Sequence, residues 1–232
     1  MTNRRDLILT GLALAAVAAG WQIWIRRPVP LVFAEINGLA GWRKVETGNL
    51  SVPSGATFLT IGQGQSNTAP LAPDRLESTL YRDPNAHRIA IFSDFFCPFC
   101  RRLTARLASR SDLNVNWHEL PLLGPASEIA AHASLAADQQ GAYAPFVAAL
   151  ARSTFRPTQA HMGRVAESIG LDAVRLVRDM AGPDVADRLA KSQSAAATLG
   201  IYGTPGITIG RTLVMGEVTT DELDALIALE KV

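Results

Sequence analysis

The chain has 232 residues, 48% hydrophobic and 19% charged, enough to bury a sizeable core and too apolar for a disordered chain. Its 22 Lys and Arg stand against 21 Asp and Glu, a formal charge of +1, which provides neither the basic field of a nucleic-acid binder nor an acidic tail. Two cysteines exclude a disulfide-rich scaffold and a four-cysteine zinc site.

Residues 1–27 read as a signal peptide or signal anchor. Arg4 and Arg5 form a short positive start, and Leu7 to Ile25 carries no formal charge. As a helix rising about 1.5 Å per residue, this run matches a hydrocarbon core of about 30 Å. Arg4-Arg5 before Leu7 and Ile8 partly matches a twin-arginine export signal, and an ordinary secretory route fits equally well. Ala16-Val17-Ala18 offers a cleavage pattern, whereas Trp21 and Trp24 suit a membrane interface and favour a retained anchor.

Residues 28–85, rich in Gly, Ser, Pro and Thr, are expected to form a linker and an N-terminal extension with one strand, Ala56 to Ile61. Arg88 to Phe92 (RIAIF) predicts a buried central strand, and RRLTARLAS after residue 100 a helix. Leu113 to Leu120 predicts a second strand, with Leu113, Val115 and Trp117 alternating. From 124 to 199 the period is helical: Tyr143, Phe146, Val147 and Leu150 define one apolar face, and Met162, Val165, Ala166 and Ile169 another. Two short strands follow, Ile207 to Ile209 and Thr212 to Met215. A capping box from Thr219 to Glu222 opens a last helix over Leu223, Leu226 and Ile227. The order is that of an α/β sheet with a helical insertion.

Cys97 and Cys100, the only thiols, lie where a strand hands over to a helix. At the helix N-terminus, free amides and the dipole stabilise a thiolate on Cys97, and Pro98 suits the first turn. Cys100, one turn in, is within reach of Cys97, which predicts an exposed nucleophile and a sheltered resolving thiol. An inert disulfide closing so small a loop would stabilise little. A metal site would need His87, His118, His132, His161 or Met215, none at ligand spacing to the pair.

CPFC after IAIFSDFF, the stretch ELPLLGPASEIAAHASLAADQQGAYAPF, and LGIYGTPGITIG together resemble the DsbA-type thiol:disulfide oxidoreductases. The resemblance covers about residues 86–230. It implies that 86–232 form a thioredoxin-like fold with a helical insertion at about 124–199, acting in dithiol exchange in the periplasm. Carried over by position, Cys97 attacks, Cys100 resolves, the two form a redox-active disulfide, and Thr204 precedes a cis-proline, Pro205, that faces substrate. Pro98 and Phe99 then border the substrate site.

Two positions depart from the pattern. Phe99 stands where the best-known members have His, and Ile91 stands where many thioredoxin folds carry a buried carboxylate. Asp94, three residues before Cys97, is either a substitute acid or a solvated turn residue. Without an imidazole at 99, the Cys97 pKa is expected below the free value of about 8.5 but above the extreme of about 3.5. Arg101 and Arg102 either assist that thiolate or form a solvated face; Phe95, Phe96 and Phe99 either line a groove or pack in the core.

The expected function is thiol:disulfide exchange with cysteine-bearing exported proteins, as an oxidase. A reductase or isomerase, or a chaperone without turnover, is the alternative. The expected partners are those substrates and a membrane redox protein that resets the dithiol, with residues 7–25 in the membrane and no nucleic acid. No cofactor and no metal are implied. The expected location is the periplasmic side of the bacterial inner membrane, or the soluble periplasm after cleavage.

Overall fold

The computed structural model describes residues 31–45, 69–83 and 88–230. The expected leader at 1–27 and the strand at 56–61 lie outside them. Among the described residues no helix is long and apolar enough to cross a membrane.

The stretch expected as linker contributes to the sheet. β1 (Phe33–Glu35) and β2 (Arg43–Val45) form an antiparallel hairpin. Its connecting residues Leu39 and Trp42 are buried in the main apolar cluster, each stabilising by about 2 kcal/mol. The Arg43 guanidinium hydrogen-bonds Thr212 at 2.8 Å and Glu230 at 2.6 Å while stacking over Phe33. Helix α1 (Pro73–Leu80) buries Leu76 and Leu80 in the same cluster. Polar composition concealed these few apolar anchors.

β3 (Ile89–Ser93) is buried at every residue, as befits a central strand covered on both faces. It leads into α2 (Pro98–Leu107) and pairs in parallel with β4 (Val115–Glu119), from Ile89 opposite Val115 to Ser93 opposite Glu119. The helical block follows as α3 (Pro125–Asp138), α4 (Tyr143–Arg152), α5 (Gln159–Ser168), α6 (Ala173–Met180) and α7 (Pro183–Leu199). β5 (Gly206–Ile209) runs antiparallel to β3, and β6 (Thr212–Met215) antiparallel to β5. α8 (Thr220–Glu230) begins at the expected box, in which Glu222 accepts from the Thr219 amide at 2.8 Å and Thr219 Oγ1 from the Glu222 amide at 3.2 Å.

The six-stranded sheet of the described residues has the order β1-β2-β6-β5-β3-β4. The central four strands and their helices form a thioredoxin-like fold. The expected insertion is helical throughout, but its last helix belongs to the main core as well. α7 packs on both α1 and β4. Between them lies His118, whose Nε2 donates to the Leu80 carbonyl at 3.0 Å and whose Nδ1 lies 3.1 Å from Ser192 Oγ.

Candidate active site

The two thiols sit at the junction of β3 and α2 because the chain must turn there and because Pro98 starts a helix well. Cys97 is the N-cap residue, with extended dihedrals, and its amide donates to the Asp94 carbonyl at 3.0 Å. Both cysteines are free thiols in this structure. Their environments differ sharply. The Cys97 pKa is lowered to about 6, first by a hydrogen bond from the Cys100 thiol, against the cost of burial, with help from the Cys100 amide, the Thr204 side chain and the Phe99 amide. Burial pushes the Cys100 thiol far up, and the neighbouring Cys97 pushes it further. The expected intermediate value for Cys97 agrees with this direction.

One expectation needs correction. Cys97 is not an open nucleophile: it is only 5% exposed. The cover is the loop before β5, where the Thr204–Pro205 peptide is cis and the Thr204 carbonyl accepts from Cys97 Sγ at 3.3 Å. Gly206 follows in close quarters: a Cβ there would lie 3.0 Å from Ile201 Cγ2, so the Ile201 side chain would have to give way. The structure thus brings Cys97, Cys100, Thr204 and Pro205 together, with Pro98 and Phe99 exposed beside them.

Asp94 is a buried organising residue rather than a solvated turn. One carboxylate oxygen accepts from the Phe96 amide at 2.8 Å and Ser127 Oγ at 2.9 Å. The other accepts from the amides of Leu122 and Leu123 at 2.7 and 3.0 Å. Asp94 therefore ties the end of β3 to the loop after β4 and to the start of α3. That start needs Gly124, whose φ of 103° and ψ of −174° lie in a region essentially reserved for glycine.

The aromatic residues divide. Phe95 is buried, Phe96 half-buried and Phe99 40% exposed. Phe95 and Phe96 pack with Phe155 at centroid distances of 5.5 and 4.9 Å. Phe155, from the loop between α4 and α5, was not marked by any sequence signal. Arg101 lies over Phe95. Arg102 stacks on Phe99 at 4.8 Å and is held by Glu217 through two hydrogen bonds, so it is committed to that pair.

A second polar cluster lies behind the thiols, and sequence reasoning missed it. Glu119, at the end of β4, is 1% exposed and accepts from the Tyr143 hydroxyl at 2.6 Å. Its signal was the strand period: Glu119 continues the alternating apolar series Leu113, Val115, Trp117 as an acid.

A thioredoxin-like sheet with a cysteine pair at the start of α2 places the chain among thioredoxin-fold proteins that carry a dithiol. The chain belongs to the DSBA-like thioredoxin domain family, whose profile matches residues 88–228. It is similar in structure to a thioredoxin-like oxidoreductase from Silicibacter pomeroyi, with 34% identity, TM-score 0.57, and coverage of 66% of this chain and 96% of that one. It shares its fold with the catalytic domain of Proteus mirabilis ScsC, at 23% identity and TM-score 0.54, covering 66% of this chain and 93% of that one. In sequence it is 26% identical over 230 residues to Na(+)/H(+) antiporter NhaA 3 of Salinispora tropica, covering 96% of this chain and 32% of the antiporter. The chain thus spans about a third of the length of that relative.

Proposed function

We propose that the protein oxidises cysteine pairs in exported proteins, with Cys97–Cys100 as its redox-active disulfide. A substrate thiolate attacks Cys97 Sγ, the Cys97–Cys100 bond breaks, and Cys100 leaves as a thiolate that takes up a proton. A second substrate thiolate then attacks the substrate sulfur of the mixed disulfide and displaces Cys97. The substrate loses two electrons and the enzyme gains them. A membrane redox protein that accepts the two electrons resets the dithiol.

The observation that carries this reading is the stabilised Cys97 thiolate beside a Cys100 held as a thiol. A Cys97 pKa of about 6, against about 8.5 for a free cysteine, favours the reduced enzyme at pH 7 by about tenfold. That is about 1.4 kcal/mol, or about 30 mV for two electrons. A more stable reduced form makes a stronger oxidant.

Thr204 and Pro205 offer their backbone to an extended substrate segment in the manner of an added strand, and Pro98 and Phe99 border it. Phe99, Leu123 and Tyr202, all exposed, lie on segments next to the site and suit the apolar side chains of an unfolded chain. The apolar run at 7–25 supports a location on the periplasmic face of a membrane, where disulfides persist.

Equilibration of the purified protein with glutathione tests the direction. The expected potential lies above thioredoxin's value of about −270 mV, with oxidation of a reduced, unfolded substrate at a rate that Cys97→Ser abolishes. A potential near thioredoxin's would make the protein a reductase. Full function in Cys97→Ser would make it a binding protein.

A further inference from the structure

Phe99 stands between the two cysteines with 40% of its surface exposed. A ring on the surface of a helix ordinarily moves among its rotamers, and a substrate that packs on it must freeze that motion. Here the motion is already restricted. Phe99 and Arg102 are three positions apart on α2, so their side chains are neighbours on the helix surface. The Arg102 guanidinium lies 4.8 Å from the centre of the ring, within the range of a cation–π contact.

An exposed arginine would not by itself hold a ring still, because its own long side chain is mobile. Glu217 removes that freedom. Its carboxylate accepts from Arg102 Nε at 3.2 Å and from a terminal guanidinium nitrogen at 2.7 Å, a two-point fork that fixes the guanidinium plane. In return, the hydrogen bond from Arg102 holds the Glu217 carboxyl below its ordinary pKa, so the pair stays charged at neutral pH.

Glu217 lies between β6 and α8, in a turn that is itself anchored. The Gly216 amide donates to the Pro205 carbonyl at 2.9 Å, and the carbonyl of the buried Val218 accepts from Arg106, one turn beyond Arg102 on α2. Pro205 belongs to the loop whose Thr204 carbonyl accepts from Cys97 Sγ at 3.3 Å. Two consecutive residues therefore hold both borders of the site. Gly216 holds the Thr204–Pro205 loop through the main chain, and Glu217 holds Phe99 through Arg102.

We infer that Glu217 is a positioning residue, which fixes Phe99 through Arg102 so that the ring selects substrate segments with an apolar side chain beside the reacting cysteine. Arg102 covers one side of the ring and leaves the rest to the substrate. Because Glu217 balances the guanidinium, that border of the site carries an apolar ring and no net charge, which suits leucine-like or aromatic side chains. A ring placed before the substrate arrives costs the complex less ordering.

This inference deepens the exchange reading and rests on it, and the test separates the two. Two peptides with a pair of cysteines differ only in the residues flanking those cysteines, Leu in one and Ser in the other. The full-length protein oxidises their dithiols with glutathione disulfide as the final electron acceptor. KM and kcat are measured for wild type, Glu217→Ala, Glu217→Gln, Phe99→Ala and the Phe99→Ala/Glu217→Ala double variant. Wild type is expected to show the lower KM for the Leu peptide. Glu217→Ala is expected to raise that KM about threefold to tenfold, the effect of having to freeze one side chain on binding, and to act on KM rather than kcat. Glu217→Gln keeps one acceptor oxygen for Arg102 and is expected to fall between. In the Phe99→Ala background, Glu217→Ala is expected to change KM by less than about twofold, because the ring that it positions is gone. An equal effect in both backgrounds would show that the Arg102 charge or the turn acts on the site directly, and would overturn the inference. So would a wild-type KM in Glu217→Ala, or no preference for the Leu peptide in wild type. Failure of the wild-type protein to oxidise either peptide would instead overturn the exchange reading, and this inference with it.

Discussion

Replacing Cys100 by Ala removes the largest single influence on Cys97, the hydrogen bond from the Cys100 thiol. The helix amides of Phe99 and Cys100 and the Thr204 side chain remain. Losing one such donor in a buried site raises a thiol pKa by about 1.5, so Cys97 moves from about 6 to about 7.5. At pH 7 the thiolate fraction then falls from about nine-tenths to about a quarter. Nucleophilicity rises with basicity, with a Brønsted slope of about 0.4–0.5, so each remaining thiolate attacks about fivefold faster. The two effects nearly cancel at pH 7, and a rate measured there would conceal the change.

At pH 5 they separate. The thiolate fraction falls about thirtyfold and nucleophilicity recovers about fivefold of it, so exchange with a small disulfide slows by about sixfold. The assay is therefore the pH profile of exchange between pH 4 and 9, checked by thiolate absorbance. Cys100→Ser supplies the control, because its hydroxyl is still a donor and its midpoint is expected within about half a unit of the wild type. A midpoint that stays near 6 in Cys100→Ala would refute the reasoning and assign the low pKa to the helix terminus alone.

The parts legible in the sequence were those carried by local chemistry. CPFC at a strand–helix junction identified the thiol pair, Thr204-Pro205 the covering loop, and the spacing of Tyr143 to Leu150 an apolar face; the first was misjudged only in exposure, because the cover comes from a segment 107 residues away. Three kinds of information were not local. Asp94 gains its meaning from the Leu122 and Leu123 amides, which approach only when β4 pairs with β3. Leu39 and Trp42 are isolated apolar residues in a polar stretch, and nothing nearby shows that they reach the core under β6. Tyr143 was read correctly as core, yet nothing local shows that its buried hydroxyl reaches Glu119, 24 residues earlier in the chain.

Asp94→Ala removes the acceptor of the Ser127 hydroxyl in the core and of three part-buried amides and is expected to cost about 2–3 kcal/mol in urea unfolding; a loss below about 1 kcal/mol would mean that water replaces the carboxylate. Gly124→Ala places a Cβ on a backbone at φ 103° and is expected to cost about 1–3 kcal/mol, with a stability equal to wild type showing that the loop relaxes freely. The pH dependence of stability follows from two neighbours on β4 with opposite perturbations. Burial lowers the His118 pKa to about 4, below the unfolded value of about 6.5, so the unfolded chain binds the extra proton between these limits and stability falls as pH drops through them. Burial raises the Glu119 pKa to about 8, above the unfolded value of about 4.3, so the native state binds the extra proton there and stability falls as pH rises. Between about pH 4.5 and 6.5 the two slopes cancel; between about pH 6.5 and 8 only Glu119 acts, and about 2 kcal/mol is lost. Glu119→Gln removes its own slope alone. The stability of wild type relative to Glu119→Gln should therefore decline by about 5 kcal/mol from pH 4 to 9, while Glu119→Gln by itself should gain about 3 kcal/mol from pH 4 to 7 through His118. Urea unfolding at half-unit pH steps measures both, and a wild-type-to-variant difference that does not change with pH would show that Glu119 is as acidic in the folded protein as in the unfolded chain.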